Sequence, residues 1–300
     1  MAGHFYYKPS GKFSPLFFLY VLLIVVAAIP PISVAYIYLS YYTPIVYLKI
    51  FATIGCGIAI GFLMGFATRL GKVRNPTLVL ISTVAVMCIA KYMQWTVYIP
   101  LLFSDSYRVM SITFGERFLT SFYLLTEPGT VFEMAGVINS IGAWSVGRGG
   151  RTITGAALLT VWIMEFMTMT WAACIASGER PRFPFCEKSK AWYGKTPDRV
   201  EADMPENLAD MKTDIENGRY DELVQLAKTA NSESKSDTDS LSLLFYKPPL
   251  AAQPYYLQVK RLRTSGGRKR EGRMLLRYIA VDERSVRKIT GRADPETEIS

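Results

Sequence analysis

Residues 153–177 read ITGAALLTVWIMEFMTMTWAACIAS, 25 residues with a single charge, Glu165, near the middle. At about 1.5 Å per residue a helix of this length crosses a ~30 Å hydrocarbon core. A carboxylate at that depth is costly and calls for a partner, a proton or a water-filled crevice. The rest of the chain sorts itself around this stretch, with apolar runs before it and a charged tail after it.

Three further spans are expected, at 16–40, 45–68 and 77–103. No charge occurs from Phe13 to Leu48. Pro30-Pro31 falls in the middle of the first run, removes two backbone donors and predicts a kinked helix. Tyr36, Tyr38, Tyr41, Tyr42 and Tyr47 read as an aromatic belt at one interface. The second run carries Gly57, Gly61 and Gly65. Glycines four apart share one helix face and let another backbone come close, either within the chain or in a homo-oligomer. The third run has one charge, Lys91, about 21 Å along a ~30 Å span counted from Thr77. Its flexible stem can snorkel outward or turn inward to Glu165, and both readings stay open. Gln94, one turn on, extends the polar stripe.

The loop 104–151 is too apolar for a free loop and predicts two short helices, divided at Pro128-Gly129, that lie at the membrane surface or cap the bundle. Basic residues cluster before the first span, between the second and third, and after the fourth. Both termini are therefore expected in the cytoplasm. The expected architecture is a four-helix membrane bundle over residues 1–177, followed by a small cytoplasmic α+β domain over 178–300.

The tail opens with Arg180, Arg182, Lys188, Lys190 and Lys195 among Phe183, Phe185 and Trp192, a pattern suited to anionic headgroups. A helical pair follows at 205–230, then a polar linker at 231–240. Two β-rich runs around Gly266-Gly267 predict a hairpin. Asp282 is placed to cap a short last helix carrying Val286 and Ile289, and residues 292–300 are expected to fray. Residues 198–239 hold 12 acids and 5 bases, and residues 247–293 hold 13 bases and 3 acids. The basic half includes Lys260, Arg261, Arg263, Arg268, Lys269, Arg270 and Arg273. The two halves can attract each other; otherwise the basic half is expected to face anionic lipid headgroups or an acidic protein partner. No nucleic-acid recognition fold is legible, so nucleic acid is not an expected partner.

The one histidine, His4, leaves little room for a zinc site or a Ser-His-Asp triad. Cys56, Cys88, Cys174 and Cys186 show neither a disulfide framework nor CxxC spacing. Gly147 to Gly150 is too short for a phosphate loop. No catalytic residue, cofactor or metal is expected.

FYYKPSGKFSP at 5–15, four spans, WIMEF at 162–166 and PFCEKSKAWY at 184–193 together resemble multi-pass inner-membrane proteins of Gram-negative bacteria that have no assigned activity. The resemblance covers most of the chain and implies an inner-membrane location. Two roles then fit the residues. One is a membrane-anchored assembly or regulatory component acting through its cytoplasmic tail. The other is a small ion-coupled transporter or channel subunit using Lys91 and Glu165.

Overall fold

A computed structural model of the chain describes residues 6–43, 45–105, 113–142, 152–232, 239–250, 254–265 and 268–291. It divides into two compact units, residues 11–182 and residues 183–300, the second of which also takes in the first ten residues. Sequence patterning put that division at 177/178 and left the N-terminal segment with the helices.

Four helices of the first unit are long and apolar enough to cross a membrane. They run Leu16–Tyr42, Tyr47–Leu70, Pro76–Ser104 and Gly155–Gly178. The first is interrupted by a π-helical turn at Ile24–Ala28, so Pro30 and Pro31 fall in the first turn of the α-helical segment Ile29–Tyr42. There their missing N–H groups cost least, and the widened turn eases the clash of the rings with the preceding carbonyls. The chain meets the proline pair with a wider turn and no break in the helix. Phe17, Ile29, Ile60, Met64, Met87 and Met169 form the fully buried centre of the bundle.

Two shorter helices, Phe114–Thr126 and Pro128–Ile141, occupy the described part of the long loop. The first starts at a capping box, in which Thr113 and Glu116 satisfy each other's backbone N–H groups. Leu124, Val131 and Ile138 turn inward onto Ile99 and Leu102. Phe114, Phe118, Leu119, Phe122 and Phe132 stay exposed, an apolar face suited to lipid. Residues 106–112 and 143–151, including Arg108, Arg148, Arg151 and the Gly147–Gly150 turn, lie outside the described residues.

The second unit is built on a four-stranded antiparallel sheet in the order β3-β4-β5-β6. Its strands are β3 (Gly194–Asp203), β4 (Ser240–Lys247), β5 (Tyr255–Ser265) and β6 (Arg268–Val281). A small β1 (Phe185–Cys186) and β2 (Ala191–Trp192) hairpin precedes it. Leu241, Leu243 and Phe245 alternate onto one face of β4. There they meet Met211 and Ile215 of helix Leu208–Glu216 and Leu223 and Ala227 of helix Asp221–Ser232. Asp282 caps the final helix, Glu283–Thr290, by accepting from the Ser285 N–H at 2.9 Å, and Val286 and Ile289 are buried. Burial alone would raise the Asp282 carboxyl, but the hydrogen bonds from Ser285 and from the backbone of Asp282 and Arg284 together outweigh it and hold the group below the usual carboxylate range. The expected hairpin is β5–β6. Its Gly266-Gly267 turn, residues 233–238 of the linker and residues 292–300 lie outside the described residues.

From Phe183 on, the segment whose basic and aromatic residues suit anionic headgroups folds into this unit. Cys186, Tyr193, Tyr246 and Tyr278 form a buried cluster joined by Tyr7, Phe183 and Tyr256. Tyr278 has φ +56. It sits where β6 slips register against β5 between Leu257/Ile279 and Val259/Leu276, and such a bulge imposes the left-handed conformation. Its ring is held by Tyr246 at 5.2 Å and Phe183 at 5.8 Å, and its carbonyl accepts from the Tyr7 N–H at 2.9 Å. Tyr6 makes an antiparallel bridge to Ile279 and donates to Glu216 Oε1 at 2.5 Å. Burial first, and then this bond to Glu216, raise the Tyr6 phenol above its ordinary range.

The limits of the domain are testable. A fragment starting at residue 198, the edge of the acidic run, cuts β3 in half and discards Phe183, Cys186 and Tyr193 of the aromatic cluster. Residues 183–291 should unfold cooperatively in urea, and residues 198–293 should show no cooperative transition. A sharp transition from the shorter piece would make the β1–β2 region dispensable.

Candidate functional site

Each long helix of the first unit contributes a polar side chain to one cluster. Lys91 of the third helix donates to Glu165 Oε1 of the fourth at 2.6 Å. Tyr36 of the first helix donates to the same oxygen at 2.9 Å and lies 3.0 Å from Thr53 Oγ1 of the second. Each hydroxyl has one proton. With Tyr36 committed to Glu165, the Thr53 proton is shared between Tyr36 and the Lys49 carbonyl, 2.9 Å away.

Of the two readings open for Lys91, the structure takes the inward one. The pair is mostly buried, with side-chain exposures of 18% for Lys91 and 27% for Glu165. What remains exposed faces a cavity of about 540 Å³ lined by all four helices, with Tyr41, Trp95, Tyr98 and Trp162 among its walls. A second cavity of about 490 Å³, partly walled by the loop helix Pro128–Ile141, shares Lys91, Trp95 and Trp162 with the first. Trp95 and Trp162 meet edge to face at 4.8 Å.

Gln94 is 1% exposed and lines the first cavity. Its amide nitrogen points at two weak acceptors, Met169 Sδ at 3.5 Å and Cys56 Sγ at 3.9 Å. Its oxygen has no donor. The cluster is thus a neutral ion pair with a phenol, beside an unsatisfied acceptor, in apolar surroundings.

Sequence reading paired Lys91 with Glu165 as one of two options and did not see Tyr36 or Thr53. It grouped Tyr36 with the interfacial tyrosines, yet Tyr36 is buried while Tyr42 and Tyr47 are exposed. A signal was present. Ser33, Tyr36 and Ser40 recur at i, i+3 and i+7, a polar stripe on one face of an otherwise apolar helix.

The glycine face is occupied within the chain. A Cβ on Gly57 would run into the Met169 carbonyl, and one on Gly61 would come to 2.5 Å from the Ala173 carbonyl. At Gly65 the nearest atom is the Ala176 carbonyl at 3.6 Å, an ordinary contact. Gly57 and Gly61 therefore let the second and fourth helices touch backbone to backbone, and the homo-oligomer option for that stretch loses its free surface.

The basic residues of β5 and β6 do not form one uniform face. Arg261 and Arg263 alternate with Lys260 along β5. Arg261 makes an ion pair with Asp239, with Nη2–Oδ2 at 2.6 Å. Arg263 and Arg273 are exposed. The strand positions of Arg268, Lys269 and Arg270 are described, opposite Ser265, Thr264 and Arg263, but their side chains lie outside the described residues. Among the described residues no group of three or more His, Cys, Asp or Glu is placed to hold a metal ion.

Neither protein-family models, nor curated proteins, nor solved structures give a match to this chain.

Proposed function

We propose that this chain is a multi-pass inner-membrane protein with both termini in the cytoplasm, acting as an assembly or regulatory component through its folded C-terminal domain. The observation that carries the reading is the membership of that domain. It has its own core, and residues 6–10 pair into it. A folded unit that takes in residues from both ends of the chain supports placing both ends on one side of a bilayer, which four crossings require. The distribution of Lys and Arg supports the cytoplasmic side. Exposed Arg263 and Arg273 on the β5–β6 hairpin suit an acidic partner segment or anionic headgroups.

Crosslinking and pull-down from native membranes, with and without residues 183–300, tests the role. A soluble protein captured only with the domain present supports it. Capture that is indifferent to the domain refutes it. Reporter fusions test the topology: at Thr43 and Gly129 they should read extracytoplasmic, and at Ser300 cytoplasmic. A cytoplasmic signal at Gly129 would overturn the arrangement.

A second reading has its own observation. Lys91, Glu165 and Tyr36 converge at a cavity lined by all four long helices, as a small ion-coupled carrier or channel subunit would need. Flux through liposomes containing the purified protein, abolished by Glu165→Gln, would favour this role over the first.

A further inference from the structure

We infer that the larger cavity of the helical unit is a binding site for an uncharged amphiphile carrying a hydroxyl on a ring, of the phenol or quinol class. The inference rests on the cavity and holds whether or not the bound molecule is transported. A failed flux assay leaves it standing, and a failed binding assay leaves the C-terminal domain's role standing.

Size comes first. About 540 Å³ lies within the range of small-molecule sites and holds two fused rings with room to spare. The walls come next. Trp95, Trp162 and Tyr98 form an edge-to-face series, at 4.8 Å between the tryptophans and 5.7 Å from Trp95 to Tyr98. Such walls offer both faces and edges to another ring.

The polar groups then set the head. Both donors to Glu165 fall on Oε1, so among the described residues Oε2 is open. Gln94 Oε1 has no donor at all. That atom is itself enclosed, so the acceptor within a ligand's reach is Glu165 Oε2, beside the Lys91 ammonium. Lys91 uses one of its three N–H groups on Glu165, so the ligand must also accept. A hydroxyl does both. Charge argues for neutrality. Lys91 and Glu165 already compensate each other, and a charged ligand would leave one charge unmatched in a low-dielectric site. Lys49 also lines the cavity, and an anionic probe reads its weight directly.

The test uses the full-length protein in detergent at pH 7, dialysed against protein-free micelles of the same detergent. Three probes of one size are compared: 2-naphthol, 2-methoxynaphthalene and 2-naphthoate. 2-Naphthol should bind saturably at one per chain, at least about tenfold tighter than either of the others, since a site built to hydrogen-bond a hydroxyl rejects analogues without it. Glu165→Met with Lys91→Met removes both the acceptor and the donor and leaves no charge unmatched, and it should bring the hydroxyl preference down to threefold or less. The wild-type comparison stands alone if that variant does not fold. Equal binding of the three probes, tightest binding of 2-naphthoate, or a preference that survives in the Glu165→Met, Lys91→Met protein overturns the inference.

Discussion

Glu165→Gln should lower the stability of the purified protein in detergent by about 3 kcal/mol, and adding Lys91→Met should recover most of that loss. The substitution keeps the shape of the side chain and the acceptor for Tyr36. It removes the only negative charge facing the Lys91 ammonium among the described residues. Losing one member of a buried pair costs more than losing both, because the survivor is left charged and unmatched. The remaining exposure at the cavity moderates the effect but does not abolish it. A double-mutant cycle on thermal unfolding isolates the coupling. A silent Glu165→Gln with additive Lys91→Met would mean that Glu165 is held as a neutral hydrogen-bonding group. The ion-coupled reading would then lose its main support.

Gly61→Leu should be of comparable size, about 3 kcal/mol, at the upper end of what overpacking costs. Even a bare Cβ there lies 2.5 Å from the Ala173 carbonyl and 2.7 Å from the Ala176 Cβ. Nothing on that face can yield, because the obstacle is backbone. The helices must separate, and with them the buried surface of Cys56, Ile60, Met64 and Met169. The same stretch contains a control. Gly65→Ala places its methyl at ordinary contact distance and should change stability by no more than about 0.5 kcal/mol. Unfolding midpoints for the two variants, measured in one detergent, decide the matter. Equal midpoints would show that the second and fourth helices do not meet along this face.

Much of the fold is legible without coordinates because its signals are local. Four apolar runs of sufficient length, the Asp282 cap, the helical pair before the linker and the hairpin around Gly266-Gly267 each follow from composition and period within one segment. Glu165 and Lys91 stand out for the same reason, as single charges in long apolar runs. Partner choice is different. Whether Lys91 turns outward or toward Glu165 depends on which helices are neighbours and how far the stem must reach. Whether the glycine stripe serves this chain or another copy depends on the fourth helix offering Met169 and Ala173 at the matching height. Tyr36 looks like an interfacial tyrosine until Thr53 and Glu165 close around its hydroxyl. β3 and residues 6–10 carry little strand signal of their own. β3 joins the sheet because β4 presents unpaired backbone groups, and Tyr6 and Tyr7 bond to the bulged edge of β6 at Ile279 and Tyr278 for the same reason, since a buried N–H or C=O must be satisfied. Composition and period define the elements and single out the charges that need an answer. Which partner answers each of them is set by how the helices and strands pack, because contacts between residues far apart in the chain leave no period in it.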